Sequence, residues 1–146
     1  MTNLGVGMIG AGVFGGYHAG KIAASNRTHF SGVFDPDMDR AQQLADAHGV
    51  SVFASAEELC AQSDAGMVAS PAVYHEELVA QALKAGRHVM VEKPLSLTTQ
   101  GADNLVAIAE GQGLILQVGH QERFVLEAMG MFDIAERPTK IDAWRL

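Results

Sequence analysis

Gly10-Ala11-Gly12-Val13-Phe14-Gly15 follows the apolar run Leu4-Gly5-Val6-Gly7-Met8-Ile9 and opens an amphipathic stretch that reads as a helix over 14–25. Each glycine has a separate reason to be there. Gly10 allows a tight turn out of a strand. Gly12 carries no side chain, so a pyrophosphate can approach the backbone, and Gly15 lets the helix pack close to the sheet. The N–H groups of Val13, Phe14 and their neighbours then stand free at a helix N-terminus, where the helix dipole favours an anion. A second register, Gly5-Val6-Gly7-Met8-Ile9-Gly10, has the same spacing. It has no strand before it and no helix directly after it, so the register beginning at Gly10 is the one with chemistry.

Asp35 lies 20 residues after Gly15, at the end of the next apolar run. A carboxylate at that distance accepts hydrogen bonds from the adenosine ribose hydroxyls and repels a 2′-phosphate, so it points to NAD in preference to NADP. The plainer alternative is that Asp35 starts the turn Asp35-Pro36-Asp37. Arg40 is the one cation nearby, and it softens the preference if it reaches the ribose.

The rest of the chain repeats the strand-then-helix theme. Short β-branched runs predict strands over 4–9, 29–34, 50–53, 66–69, 87–91 and 114–118. Amphipathic stretches predict helices over 14–25, 37–48, 56–62, 74–85, 98–110 and 122–132. Gly49 and Gly86 stand where a helix wants a left-handed residue, and Thr98 is placed to cap a helix. Such alternation predicts an α/β fold: a doubly wound parallel sheet of about six strands with helices on both faces, the Rossmann fold. The domain is expected to span 1–137. Pro138 then breaks the pattern, and the tail with Ile141 and Trp144 favours a strand that begins something else.

Bulk properties narrow the function classes. A chain of 146 residues suits one full-sized core. The net charge of -7 disfavours nucleic acid or an anionic membrane as the main partner. No window approaches the ~18 apolar residues of a membrane span, and the N-terminus has no basic signal-like region. The single cysteine, Cys60, reads as a packing residue and accords with a reducing, cytoplasmic compartment. The His and Cys spacing matches no metal site, so no metal is expected.

Three polar clusters end successive strands: Ser70-Pro71-Ala72-Val73-Tyr74-His75, then Glu92-Lys93-Pro94 after Val89-Met90-Val91, then Gly119-His120-Gln121-Glu122-Arg123-Phe124. In an open parallel sheet the ligand crevice lies at those strand ends. With these motifs the chain resembles the N-terminal half of the Gfo/Idh/MocA family of NAD(P)-dependent oxidoreductases, from Leu4 to about Phe124. The Glu-Lys-Pro signature is the most specific piece.

The resemblance implies roles for individual positions. Lys93 would reach the substrate hydroxyl or carbonyl beside the nicotinamide. Glu92 would lie near the nicotinamide ribose, or else form a structural ion pair with Lys93. Pro94 would fix the turn, with a cis peptide as one option. Ser70, Pro71 and His75 would line the dinucleotide, although His75 reads equally as a helix cap. His120 would face the nicotinamide side or serve as a structural histidine. His18, His29, His48 and His88 read as structural or exposed.

Members of that family are more than twice as long, and a second domain binds the substrate, supplies an acid/base histidine and commonly makes the oligomer interface. Residues 138–146 read as the start of that domain, cut short. The expected function of the whole is oxidation of a secondary alcohol of a sugar, nucleotide sugar or cyclitol, a small-molecule partner, in a homo-oligomeric parent. This chain alone would bind NAD with little turnover, because hydride transfer needs the substrate carbon held ~3–3.5 Å from the nicotinamide. Two other readings are open. One is a stand-alone NAD-binding sensor or interaction module. The other is a lyase or hydrolase that oxidises its sugar transiently, which net NADH accumulation would separate from a dehydrogenase.

Overall fold

The computed structural model describes residues 3–131. Strands β1 (Leu4–Ile9), β2 (Thr28–Phe34), β3 (Ala65–Val68), β4 (His88–Glu92) and β5 (Leu116–Gly119) form one sheet in the order β2-β1-β3-β4-β5. Every pairing is parallel. Helices α1 (Val13–Ala24), α2 (Met38–His48), α3 (Ala56–Ala61), α4 (His75–Lys84), α5 (Thr99–Gly111) and α6 (Gln121–Ala128) connect and follow the strands.

The strand alternation builds two cores. Val6, Met8, Phe30 and Met67 face α1 and α2, where Ala19, Ala41 and Ala45 admit a close helix approach. Ile9, Val68, Val89 and Val91 face the other way, onto Leu59 of α3, Val79 and Leu83 of α4 and Leu105 of α5. Neighbouring residues such as Met8 and Ile9 thus serve opposite cores, because a strand turns successive side chains to opposite faces. A parallel sheet with helices on both faces is the α/β fold expected from the alternation.

Helix ends follow local chemistry. The Asp37, Ser55 and Thr98 side chains accept hydrogen bonds from the N–H groups of Arg40, Glu58 and Gly101, at 3.2, 3.1 and 3.0 Å. Gly49 closes α2 in left-handed backbone, φ 66°.

Several boundaries differ from the sequence expectation. The strand expected over 50–53 survives only as one bridge, Val33 to Val52, its pairing resting on Val33, which donates to the Ser51 carbonyl at 3.0 Å and accepts from the Phe53 N–H at 2.9 Å; the Phe53 ring fills the space a Cβ on Gly32 would take. The helix expected from 74 begins as a short 3-10 turn, Ala72–Tyr74, with α geometry from His75. The last helix ends at Ala128, and Gly130 follows with φ 70°. The second-domain start expected over 138–146 lies outside the described residues.

The winding direction places the site. The chain steps from β1 outward to β2, then returns across β1 and runs β3, β4, β5 the other way. The loops leaving β1 and β3 therefore diverge, and they open a crevice at the C-terminal strand ends.

Candidate cofactor and active site

The glycine turn spans that switch point. Gly10 donates its N–H to the Phe34 carbonyl at 2.8 Å, joining the ends of β1 and β2. Its φ of +105° excludes an ordinary side chain, and a Cβ there would also meet the backbone of Ala69 at 2.8 Å. The turn thus lies directly against the loop leaving β3. A Cβ on Gly15 would overlap the Gly10 carbonyl oxygen, so the first turn of α1 rests on the glycine turn itself. Gly12 is different. No atom lies within 4 Å of the space a Cβ would fill, and this N-cap residue supplies no side-chain hydrogen bond to the helix. The outcome is an open cradle beneath backbone donors, which fits a dinucleotide pyrophosphate. Val13 and Phe14 are exposed beside it, and the Phe14 ring meets Tyr17 edge-on at 6.3 Å.

Asp35 is buried at the end of this arrangement. Its two carboxylate oxygens accept from the N–H of Ala11 at 2.7 Å and of Asp37 at 2.8 Å. It therefore shapes the Asp35-Pro36-Asp37 turn, the plainer alternative read from the sequence, and it also braces the glycine turn, a role the sequence did not suggest. A carboxylate has about four lone-pair positions, so acceptor capacity is left for a ribose hydroxyl. Arg40 is engaged elsewhere, its Nε 3.0 Å from Asp37 Oδ2.

The clusters ending β3 and β4 are joined by one residue. His75 is 1% exposed. Its Nδ1 lies 2.6 Å from the Pro94 carbonyl oxygen and its Nε2 2.8 Å from that of Ser70. The ring is thus enclosed between two loops, and it reaches the crevice only through them. Ser70 is half-buried and Pro71 exposed at the rim. The Lys93–Pro94 peptide is cis.

Glu92 is buried, and its partner is not Lys93. Glu92 Oε1 lies 2.8 Å from His18 Nε2 on α1. Sequence reasoning left His18 among the structural histidines. The available signal was position: His18 follows Gly15 by three residues, which puts it on the helix face that looks toward the sheet. Lys93 is exposed and has no ion-pair partner among the described residues. Gly119 at the end of β5 packs against the Glu92 carboxylate, where a Cβ would lie 3.2 Å from Oε1. His120 is exposed at the start of α6, its N–H donating to the Val118 carbonyl at 2.9 Å.

Contacts therefore run unbroken around the strand ends: Asp35 to the glycine turn, that turn to the Ser70 loop, His75 to Pro94, and Glu92 back to α1 through His18. In an open parallel sheet a ligand crevice lies at such a switch point. Residues 4–120 match the Gfo/Idh/MocA oxidoreductase family, described by its NAD-binding Rossmann fold. The chain belongs to this family.

UDP-N-acetylglucosamine 3-dehydrogenase of Acidithiobacillus ferrooxidans is 36% identical over 123 residues, which are 84% of this chain and 39% of that protein. Its solved structure superposes with a TM-score of 0.86, covering 92% of this chain and 44% of that one at 32% identity. GenD2 from gentamicin A biosynthesis, solved with NAD, gives a TM-score of 0.79 at 38% identity, over 82% of this chain and 35% of that one. Inositol 2-dehydrogenase of Corynebacterium glutamicum is 35% identical over 129 residues, 84% of this chain and 38% of that protein. The chain thus spans about two-fifths of the length of these relatives. It carries the family's NAD-binding domain.

Proposed function

We propose that this Gfo/Idh/MocA domain is the cofactor half of an NAD-dependent dehydrogenase that oxidises a secondary alcohol of a sugar, nucleotide sugar or cyclitol to a ketone. One observation carries the reading. The loop against the glycine turn is tied through Ser70, His75 and Pro94 to the turn that carries Lys93, which is exposed and without an ion-pair partner among the described residues. Bound NAD supplies the hydride acceptor. The chain's own residues then divide the remaining work. Gly10, Gly12, Val13, Phe14 and Gly15 seat the pyrophosphate on backbone donors. Asp35 takes the adenosine ribose and disfavours a 2′-phosphate. Ser70 and Pro71 form the rim, and Glu92 lies below the nicotinamide ribose. The Lys93 amine takes the hydroxyl proton as the alcohol becomes a ketone, and the resulting ammonium donates to the ketone oxygen. His120, at the end of β5, lines the same side.

The names of similar proteins support the substrate class. They include dehydrogenases of UDP-N-acetylglucosamine, inositol and glucose 6-phosphate. The test is a thermal-unfolding titration with NAD and NADP. NAD at a hundredfold excess over its Kd stabilises by about 2.7 kcal/mol, a rise of roughly 5–11 °C for a chain of this size. Lys93→Ala is expected to bind NAD as the parent does. The same substitution in a protein that also carries a substrate domain is expected to abolish NADH formation from inositol or UDP-N-acetylglucosamine. Absence of NAD stabilisation, or unimpaired turnover by Lys93→Ala, refutes the reading.

A further inference from the structure

Lys93 stands on a turn whose two flanking residues are each held by a histidine, and the two histidines come from opposite helical layers. On one side, α1 reaches across with His18, whose Nε2 is 2.8 Å from Glu92 Oε1. On the other side, α4 begins with His75, whose Nδ1 is 2.6 Å from the Pro94 carbonyl oxygen. Its Nε2 lies 2.8 Å from the Ser70 carbonyl oxygen. Both contacts are shielded: the His18 side chain is 20% exposed, the Glu92 side chain 9%, and His75 1%. The residue between them is exposed and unpaired among the described residues.

We propose that His18 and His75 are positioning residues that pin the Glu92–Pro94 turn from both helical layers, and that His18 keeps the Glu92 carboxylate from pairing with the Lys93 ammonium. The inference deepens the proposed function, because it takes Lys93 as the amine that meets substrate. Glu92 adjoins Lys93 where β4 ends, and an ion pair between them would occupy the ammonium donors that a substrate oxygen needs. A ring nitrogen at hydrogen-bonding distance from that carboxylate removes the competitor. Because His18 sits on the helix whose N-terminus forms the phosphate cradle, the tie also couples the cofactor helix to the lysine turn. On the far side, the Pro94 and Ser70 carbonyls can each only accept and a neutral imidazole carries one N–H, so the tautomer protonated at Nδ1 donates to Pro94 and fixes the height of the turn.

The experiment reads the Lys93 amine directly. Wild type and variants are acylated with limiting acetic anhydride, and the Lys93 rate is measured by mass spectrometry relative to Lys84 in the same molecule. His18→Ala frees Glu92 and is expected to slow Lys93 at least about threefold, while His18→Gln, whose amide still donates to the carboxylate, restores the parent rate. At position 75 the geometry separates the two ties. Asn places an amide near the Nδ1 position and keeps the Pro94 contact. Gln extends to the Nε2 position and keeps only the Ser70 contact. His75→Asn is therefore expected to retain the Lys93 rate and His75→Gln to lose it. A role in folding alone would not distinguish Asn from Gln in this order. Circular dichroism identifies folded variants, and if either His75 variant fails to fold the His18 pair decides alone. Folded His18→Ala with a Lys93 rate unchanged from the parent overturns the proposal. Titration of the same samples with NAD keeps the two readings apart. A parent that fails to bind NAD defeats the proposed function and leaves the acylation pattern to judge the pinning.

Discussion

Two alanine substitutions in the glycine turn should have opposite consequences. At Gly15 the new Cβ would overlap the carbonyl oxygen of Gly10, with the Gly10 carbonyl carbon also 3.0 Å away. Both obstacles are backbone, and Gly10 is itself held by its hydrogen bond to Phe34 and its contact with Ala69. No side chain can rotate aside, so the first turn of α1 must lift from the sheet. Overpacking of this kind costs about 3 kcal/mol, which lowers Tm by roughly 6–12 °C in a domain of this length. At Gly12 nothing lies within 4 Å and φ is -75°, a value alanine accepts. Gly12→Ala is therefore expected to change stability by at most about 1 kcal/mol, the scale of a lost N-cap preference. Its Cβ, however, enters the space proposed for the pyrophosphate, and NAD affinity should fall at least tenfold, about 1.4 kcal/mol. Thermal unfolding without ligand measures the first effect and calorimetric NAD titration the second. A Gly15→Ala protein as stable as the parent, or a Gly12→Ala protein that binds NAD equally well, refutes this division of labour.

Other outcomes follow from single residues. Asp35→Ser removes the charge that opposes a 2′-phosphate, so the ratio of NADP to NAD affinity should rise; parallel titrations check it, and an unchanged ratio would show that Asp35 does not set the preference. The Cys60 thiol is 2% exposed, and burial pushes its pKa above the ordinary 9.0, with Arg87 pulling weakly the other way. The native protein should therefore resist an aromatic disulfide reagent at pH 8 and react on unfolding. Because the folded thiol holds its proton more tightly than the unfolded one, the associated stability is complete below pH 9.0 and is lost as pH rises through the folded value. Denaturation of Cys60→Ala should lack that alkaline decline.

Much of the fold was legible because it is encoded by local pattern. The strand over 4–9, the helix ends marked by Asp37, Ser55 and Thr98, and the left-handed residue at Gly49 are each specified within a few residues. The segment 50–53 misled because its β-branched residues have strand propensity, while its pairing is confined to Val33 some twenty positions earlier. Propensity reports the local backbone, and the Phe53 ring position is a tertiary fact. The helix expected to continue to 132 ignored Gly130, a stop signal that was present in the chain.

The candidate site divides in the same way. Its candidates could be named from sequence: the glycines, Asp35, the Ser70-Pro71 pair, His75, Glu92, Lys93 and His120 all carry side chains or absences of side chains with a definable chemistry. Their partners were not. That Asp35 braces Ala11, that His75 bridges Ser70 and Pro94, and that Glu92 faces His18 rather than its neighbour Lys93 depends on residues 24, 19 and 74 positions apart. Sequence alone determined the alternation of strands and helices and the identity of the cradle glycines, because hydrophobic period and turn chemistry act over one or two helical turns. Only the tertiary structure decided which side chains are engaged and which remain free. Strand order and the direction of the crossovers bring distant loops together, and no spacing along the chain records whether a carboxylate there meets an imidazole or an ammonium.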